Sequence, residues 1–195
     1  MKILVVDLDN TLFDTRARYN ACLAQLGVMS ADQLKGELRR EFWRCYQSPT
    51  LMELDKVNED VANLVRDAKK KGWIVVLLTG RSGETQLEAT KQQLRENNIP
   101  FDYLIMRGPG DYRKEVEYKG EILRSLSSLG DVVLVDDNPE VRQLVSKSYP
   151  PESLPILEEA KNNYGSIVIL ASRQPIVERG EVYGQEPEVD WLALD

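Results

Sequence analysis

Lys2-Ile3-Leu4-Val5-Val6-Asp7-Leu8-Asp9-Asn10-Thr11 is the stretch from which the rest of the chain can be read. Its apolar run is rich in β-branched residues, too short for a helix and followed at once by an acid. Such a run predicts a strand buried on both faces. Runs of the same kind recur at Trp73 to Leu78, Phe101 to Met106, Asp131 to Val135 and Ser166 to Leu170. Between and after them lie stretches with helical spacing: Val57 to Lys71, Gly83 to Asn97, Val116 to Ser128, Pro139 to Ser146 and Ser153 to Asn163. Strand alternating with helix implies an α/β fold, a parallel sheet with helices on both faces. In open sheets of this class ligands bind beyond the carboxyl ends of the strands. The polar residues closing the apolar runs, Asp7, Thr79 and Asp136, are therefore the first candidates for chemistry.

The pattern changes between Thr15 and Leu54, where a charge-rich segment carries Tyr19, Cys22, Leu23, Leu26, Leu34, Leu38, Phe42 and Trp43 but no strand-like run. It reads as a small helical cap, residues 15–54, inserted after the first strand into a core made of residues 1–14 and 55–170. Prolines punctuate the chain after Ser146, and residues 171–195 hold two arginines against six acids, which predicts an extended acidic tail on the surface. Lys69, Lys70 and Lys71 before Gly72 suit the negative end of a helix.

Composition removes several classes of chemistry. The chain contains no histidine, which excludes Ser/His/Asp and Cys/His mechanisms and a His-ligated zinc site. Cys22 and Cys45 stand in neither a redox nor a metal-ligand spacing and read as reduced packing residues. The net charge of -7 argues against a general nucleic-acid coat, although residues 1–50 are slightly basic, with seven Lys/Arg against six acids. No apolar run is long enough to cross a membrane, and the charged start does not suit a signal peptide, so a cytoplasmic protein is expected.

What remains is carboxylate, hydroxyl and lysine chemistry. Asp7 and Asp9, two residues apart at a strand end, can both face one pocket while Leu8 points into the fold. Thr79, Gly80 and Arg81 follow the second run, and a Thr hydroxyl near a helix start is a cradle for phosphate oxygens. Lys119 by itself reads as a solvated helix lysine, with Glu115 one turn before it on the same face. Asp136 and Asp137 offer hard oxygen ligands suited to magnesium. Each signal is weak alone. In this order and spacing they resemble the haloacid dehalogenase phosphatases, with DxDxT at Asp7–Thr11, then Thr79, Lys119 and Asp136-Asp137. The resemblance implies a Rossmann-like core and a magnesium-dependent phosphomonoesterase. In it Asp7 attacks phosphorus, Asp9 serves as acid and base, and Thr79 and Lys119 hold phosphoryl oxygens. Magnesium would be held among Asp7, Asp9, Asp136 and Asp137, with Thr11 on the substrate side. An acid that donates a proton near other carboxylates is expected to have a raised pKa at Asp9.

The stretch LLTGRSGETQLEATKQQLRENNIPFDYLIMRGPGDYRKEVEYKGEIL is similar to the 3'-phosphatase domain of phage-type polynucleotide kinase. That resemblance implies that Arg81 assists phosphate binding, that Glu115 buttresses Lys119, and that the substrate is a polynucleotide 3'-phosphate end. A nucleotide or sugar phosphate is the alternative. No GxxxxGKS/T run occurs, so only a phosphatase activity is expected. Lys35, Arg39, Arg40 and Arg44 lie at near-helical spacing in the cap. Arg39 and Arg40 are candidates to follow a nucleic-acid backbone, with Phe42 or Trp43 stacking a base. Packing of Phe42 and Trp43 between cap and core is the competing reading.

Overall fold

The computed structural model describes residues 1–161 and 176–180. The opening run forms β1 (Lys2–Val6), all but its first residue buried. The chain leaves the core through a two-residue strand, β2 (Phe13–Asp14), into α1 (Arg16–Gln25) and α2 (Gly36–Tyr46). Short 3-10 turns lie at Ala31–Gln33 and Pro49–Leu54, and β3 (Lys56–Val57) brings the chain back, antiparallel to β2. Then follow α3 (Glu59–Lys70), β4 (Ile74–Ser82), α4 (Gly83–Glu96), β5 (Tyr103–Arg107) and α5 (Glu115–Leu129). The remaining elements among the described residues are β6 (Asp131–Val135), α6 (Pro139–Arg142), β7 (Ser148–Tyr149) and β8 (Ile176–Arg179).

The six-stranded sheet has the order β7-β6-β1-β4-β5-β8, parallel except for β8, which runs antiparallel to β5. β1 is central and paired on both edges without a break, Ile3 to Val6 opposite Ile74 to Leu77 and Lys2 to Val6 opposite Asp131 to Val135. Alternate residues of β1 face opposite cores, as the two-residue period of a strand demands. Leu4 and Val6 join α3 residues such as Val61 and Val65, whereas Ile3 and Val5 join Tyr118, Ile122 and Leu126 of α5. Full burial is worth about 1.5–3 kcal/mol per large aliphatic side chain, which fixes both register and direction. The ends of β1, β4 and β6 therefore come out side by side.

The structure corrects three expectations. Cys22 on α1 and Cys45 on α2 are not free thiols; they form a disulfide that ties the two cap helices, Cα atoms 5.8 Å apart. The helix expected from Ser153 does not form over residues 153–161. Tertiary hydrogen bonds occupy that backbone instead: Trp73 Nε1 donates to the Glu158 carbonyl and Lys71 Nζ to that of Leu157, both at 2.6 Å, and Ala160 N donates to the Lys71 carbonyl at 3.0 Å. Residues 176–179, expected in a surface tail, add a sheet strand. The strand expected at Ser166 to Leu170 and the rest of the tail, 181–195, lie outside the described residues. No helix among the described residues is long and apolar enough to cross a membrane.

Candidate active site

Asp7 continues the β1 ladder, its N–H donating to the Val135 carbonyl at 3.0 Å, and the residue is only 3 % exposed. From α5, Lys119 reaches under the strand ends with no solvent exposure. Its Nζ lies 2.8 Å from Asp7 Oδ1, 2.7 Å from Asp136 Oδ2 and 2.7 Å from Glu115 Oε1. The solvated-lysine reading is overturned: this is a buried ammonium shared by three carboxylates. Asp7, Asp136 and Glu115 raise the proton affinity of Lys119 and outweigh the burial that works against its charge. Burial pushes the Asp7 carboxyl well up against the pull of Lys119, with Asp136 and Glu115 adding to the rise. Burial likewise raises Asp136 and Asp137, while Lys119 outweighs burial at Glu115 and lowers it.

Three carboxylates facing one ammonium leave an excess of negative charge, and Asp137 adds another. Asp7, Asp136 and Asp137 each offer an oxygen within 4.8 Å of the others. An all-oxygen acidic set short of positive charge fits a hard divalent cation such as magnesium. Asp9, expected among the ligands, is not in that cluster. Its Oδ1 accepts from Arg18 Nη2 at 2.8 Å and Arg81 Nε at 2.8 Å.

That pairing also corrects the expected rise at Asp9. Burial alone would raise its carboxyl, but Arg81 and Arg18 outweigh burial and hold it below its ordinary value. The arginines belong to a larger buried cluster. Asp55, where the chain returns from the cap, accepts from Arg18 Nε at 3.0 Å and Arg81 Nη2 at 3.3 Å. Gln93 and Thr90 on α4 take up Arg81 Nη1. Arg18 and Asp55 were not singled out from sequence; the available signal was a charged residue at each junction of the inserted segment with the core. Thr11, expected on the substrate, is 1 % exposed, and its hydroxyl lies 3.2 Å from Asp7 Oδ2 and 3.4 Å from Asp137 Oδ1 while accepting the Asp137 N–H at 3.0 Å. It positions the carboxylates from beneath.

Above Asp7 opens a cleft of about 600 Å³. Thr79 and Gly80 line it near the end of β4, where pairing with β5 is interrupted between the Leu78–Ile105 and Ser82–Arg107 pairs. Thr79 Oγ1 accepts the Arg81 N–H at 3.1 Å. Arg39 and Trp43 line the cap side of the cleft. Arg40 does not; it pairs with Glu37 on the exposed helix face, as Arg44 pairs with Glu41. Phe42 is buried within the cap, whereas Trp43 is 44 % exposed, so the two aromatics part company.

The family model described as the polynucleotide kinase PNKP phosphatase domain matches residues 34–145, more than half of the chain. The matched span begins after Asp7, so the first motif rests on the geometry above. Among solved structures, the chain is similar to one in the Pnkp1/Rnl/Hen1 RNA repair complex, with 29 % identity and a TM-score of 0.52, over 76 % of this chain and 42 % of that one. It thus spans less than half the length of that relative. A putative beta-phosphoglucomutase from Thermotoga maritima shares the fold at 17 % identity and TM-score 0.53, covering 83 % of this chain and 89 % of that one. So does a haloacid dehalogenase-like hydrolase from Streptococcus pneumoniae, at 14 % identity and TM-score 0.53, covering 74 % and 79 %. No curated protein matches the sequence significantly.

Proposed function

Since the chain belongs to the polynucleotide kinase PNKP phosphatase domain family, within the haloacid dehalogenase superfamily, and is a phosphatase, we propose that it removes 3'-phosphates from polynucleotide ends through a phosphorylated Asp7. The observation that carries the reading is the fully buried Lys119 Nζ, bonded to Asp136 and to Asp7 and Glu115, which line the cleft. A carboxylate nucleophile divides a very slow hydrolysis into formation and breakdown of an acyl phosphate. Lys119 fixes one Asp7 oxygen and Thr11 the other, so the nucleophile meets phosphorus in a set orientation, and orientation is a large share of such catalysis. Thr79 and Gly80, where the β4–β5 pairing is interrupted, hold the transferred phosphoryl oxygens.

Asp9 gives a proton to the departing 3'-oxygen and takes one from the water that attacks the acyl phosphate. Arg18 and Arg81 suit it to the second task, because they favour its anion. In the first, the incoming phosphate adds negative charge beside it and raises its proton affinity. Magnesium, bound by Asp7, Asp136 and Asp137, would neutralise charge on the phosphoryl oxygens and keep Asp7 ionised. Arg39 at the rim supports a polyanionic leaving group, as does the relative's place in an RNA repair complex. The cleft volume and the net charge of -7 favour a second reading, a small nucleotide or sugar phosphate.

The test is phosphate release with magnesium from a short 3'-phosphorylated oligonucleotide, a mononucleotide and an aryl phosphate, with Asp7→Asn as blank. Preference for the oligonucleotide, absent in the blank, is expected; turnover of the small substrates alone would select the second reading.

A further inference from the structure

The outer half of the cleft is built from residue types that a phosphoryl group does not need. Trp43, on the cap helix α2, and Tyr112, in the segment between β5 and α5, both line it. Tyr112 is 93 % exposed although its neighbours are anchored. Asp111 is buried and accepts from Arg113 Nε at 2.9 Å and Nη2 at 2.6 Å, and Arg107 Nη1 donates to the Arg113 carbonyl at 2.9 Å. The backbone on both sides of Tyr112 is therefore held while its ring stands free. Trp43 is similarly propped, edge-on against buried Phe42 with centroids 5.4 Å apart and against Tyr46 at 5.9 Å. Two rigidly based, solvent-facing rings flank one cleft.

Cations accompany both rings. Arg39 lies one turn before Trp43 on α2, and Lys114 two residues after Tyr112; both line the cleft, and neither has an ion-pair partner among the described residues. Their neighbours Arg40, Arg44 and Arg113 are all paired. An exposed ring costs free energy in water, and an aromatic face beside an unpaired cation is the combination that binds single-stranded nucleic acid irrespective of sequence. Resting on the 3'-phosphatase reading, we propose that Trp43 and Tyr112 form a base-stacking subsite for the nucleosides at the 3' end, with Arg39 and Lys114 meeting the adjoining phosphodiester. Every base has a π-face, so the subsite selects an unpaired strand end and not a sequence.

The experiment compares kcat/KM for a 3'-phosphorylated single strand with that for the same strand carrying an abasic terminal residue, and with glycerol phosphate. The base-containing strand should exceed the abasic one about tenfold, within the range for stacking of one base on an aromatic side chain. That ratio should fall towards one in Trp43→Ala and Tyr112→Ala and recover in Trp43→Phe and Tyr112→Phe. Both side chains are exposed, and unfolding midpoints verify that the variants fold. A wild-type ratio near one, or a ratio kept in both alanine variants, overturns the stacking subsite and leaves the 3'-phosphatase reading standing. Turnover of glycerol phosphate with neither strand cleaved removes that reading and the subsite with it.

Discussion

Lys119 Nζ stands 2.8 Å from Asp7 Oδ1, and neither side chain is more than 4 % exposed. The same ammonium touches Asp136, so one cation joins the ends of two neighbouring strands. Removing one partner of a buried ion pair typically costs about 3–5 kcal/mol, because the other charge is left uncompensated. Lys119→Met should lose that order of stability in urea unfolding as well as phosphate release. Adding Asp7→Asn to Lys119→Met should restore part of the stability and none of the activity. Full additivity of the two losses would show that the pair does not couple.

A second prediction concerns the cation. With Asp7, Asp136 and Asp137 offering clustered oxygens, magnesium should raise the thermal midpoint by binding only the folded state. Asp137→Asn should blunt that rise and increase the magnesium needed for half-maximal turnover, and chelation should abolish turnover in both proteins. A midpoint indifferent to magnesium would count against this ligand set.

The two arginines that follow one another in α2 should behave differently. Arg39 lines the cleft and Arg40 pairs with Glu37 outside it. Arg39→Ala should lower kcat/KM for the oligonucleotide and flatten its salt dependence by about one counterion's worth of slope. Arg40→Ala should do neither. Equal effects in a salt titration would mean that the helix face acts as a diffuse field.

Acid should loosen the Tyr112 segment through Asp111. The side-chain hydrogen bond from Arg113 holds the Asp111 carboxyl down at about 2. Its folded value lies below its unfolded one, so its contribution is complete above about pH 4 and disappears as pH falls towards about 2. Allowing for solvent screening of a pair at the cleft edge, that contribution is about 1 kcal/mol. Asp111→Asn should therefore be less stable than the parent at neutral pH, and the gap should close in acid; urea midpoints measured across that range decide it.

The cap disulfide closes a loop of 23 residues in sequence separation. Bridges over loops of that size typically contribute about 2–4 kcal/mol, largely by constraining the unfolded chain. Reduction should lower the thermal midpoint and expose two thiols to a modifying reagent where none reacts beforehand. Two reactive thiols without reductant would show the bridge unformed.

The sequence exposed the parts of the site that lie in short apolar runs and hid those assembled across the fold. Asp7, Thr79 and Asp136 were legible because a buried parallel strand must end in something polar at the ligand-binding edge. Lys119 was not legible by itself, since its burial depends on Asp7, 112 residues away. Arg18 and Asp55 escaped for the same reason, and the charge state of Asp9 was misread because the cations beside it were unseen. Cys22 and Cys45 lacked a recognisable spacing because two helices, not a local motif, bring them together. The stretch after Ser153 has helical periodicity, but the bonds of its backbone to Lys71 and Trp73 override local preference.

The unbroken pairing of β1 with β4 and β6 has a consequence for what the chain tolerates. Like a ruler clamped along both edges, β1 measures where Asp7 emerges, and Asp7 itself is still fastened to Val135. Exchanging one aliphatic residue for another between Lys2 and Val6 alters packing but leaves the mark in place. Inserting or deleting a single residue there would turn every following side chain to the opposite face and carry Asp7 away from Lys119. Variation in that segment should therefore be free in spelling and fixed in length.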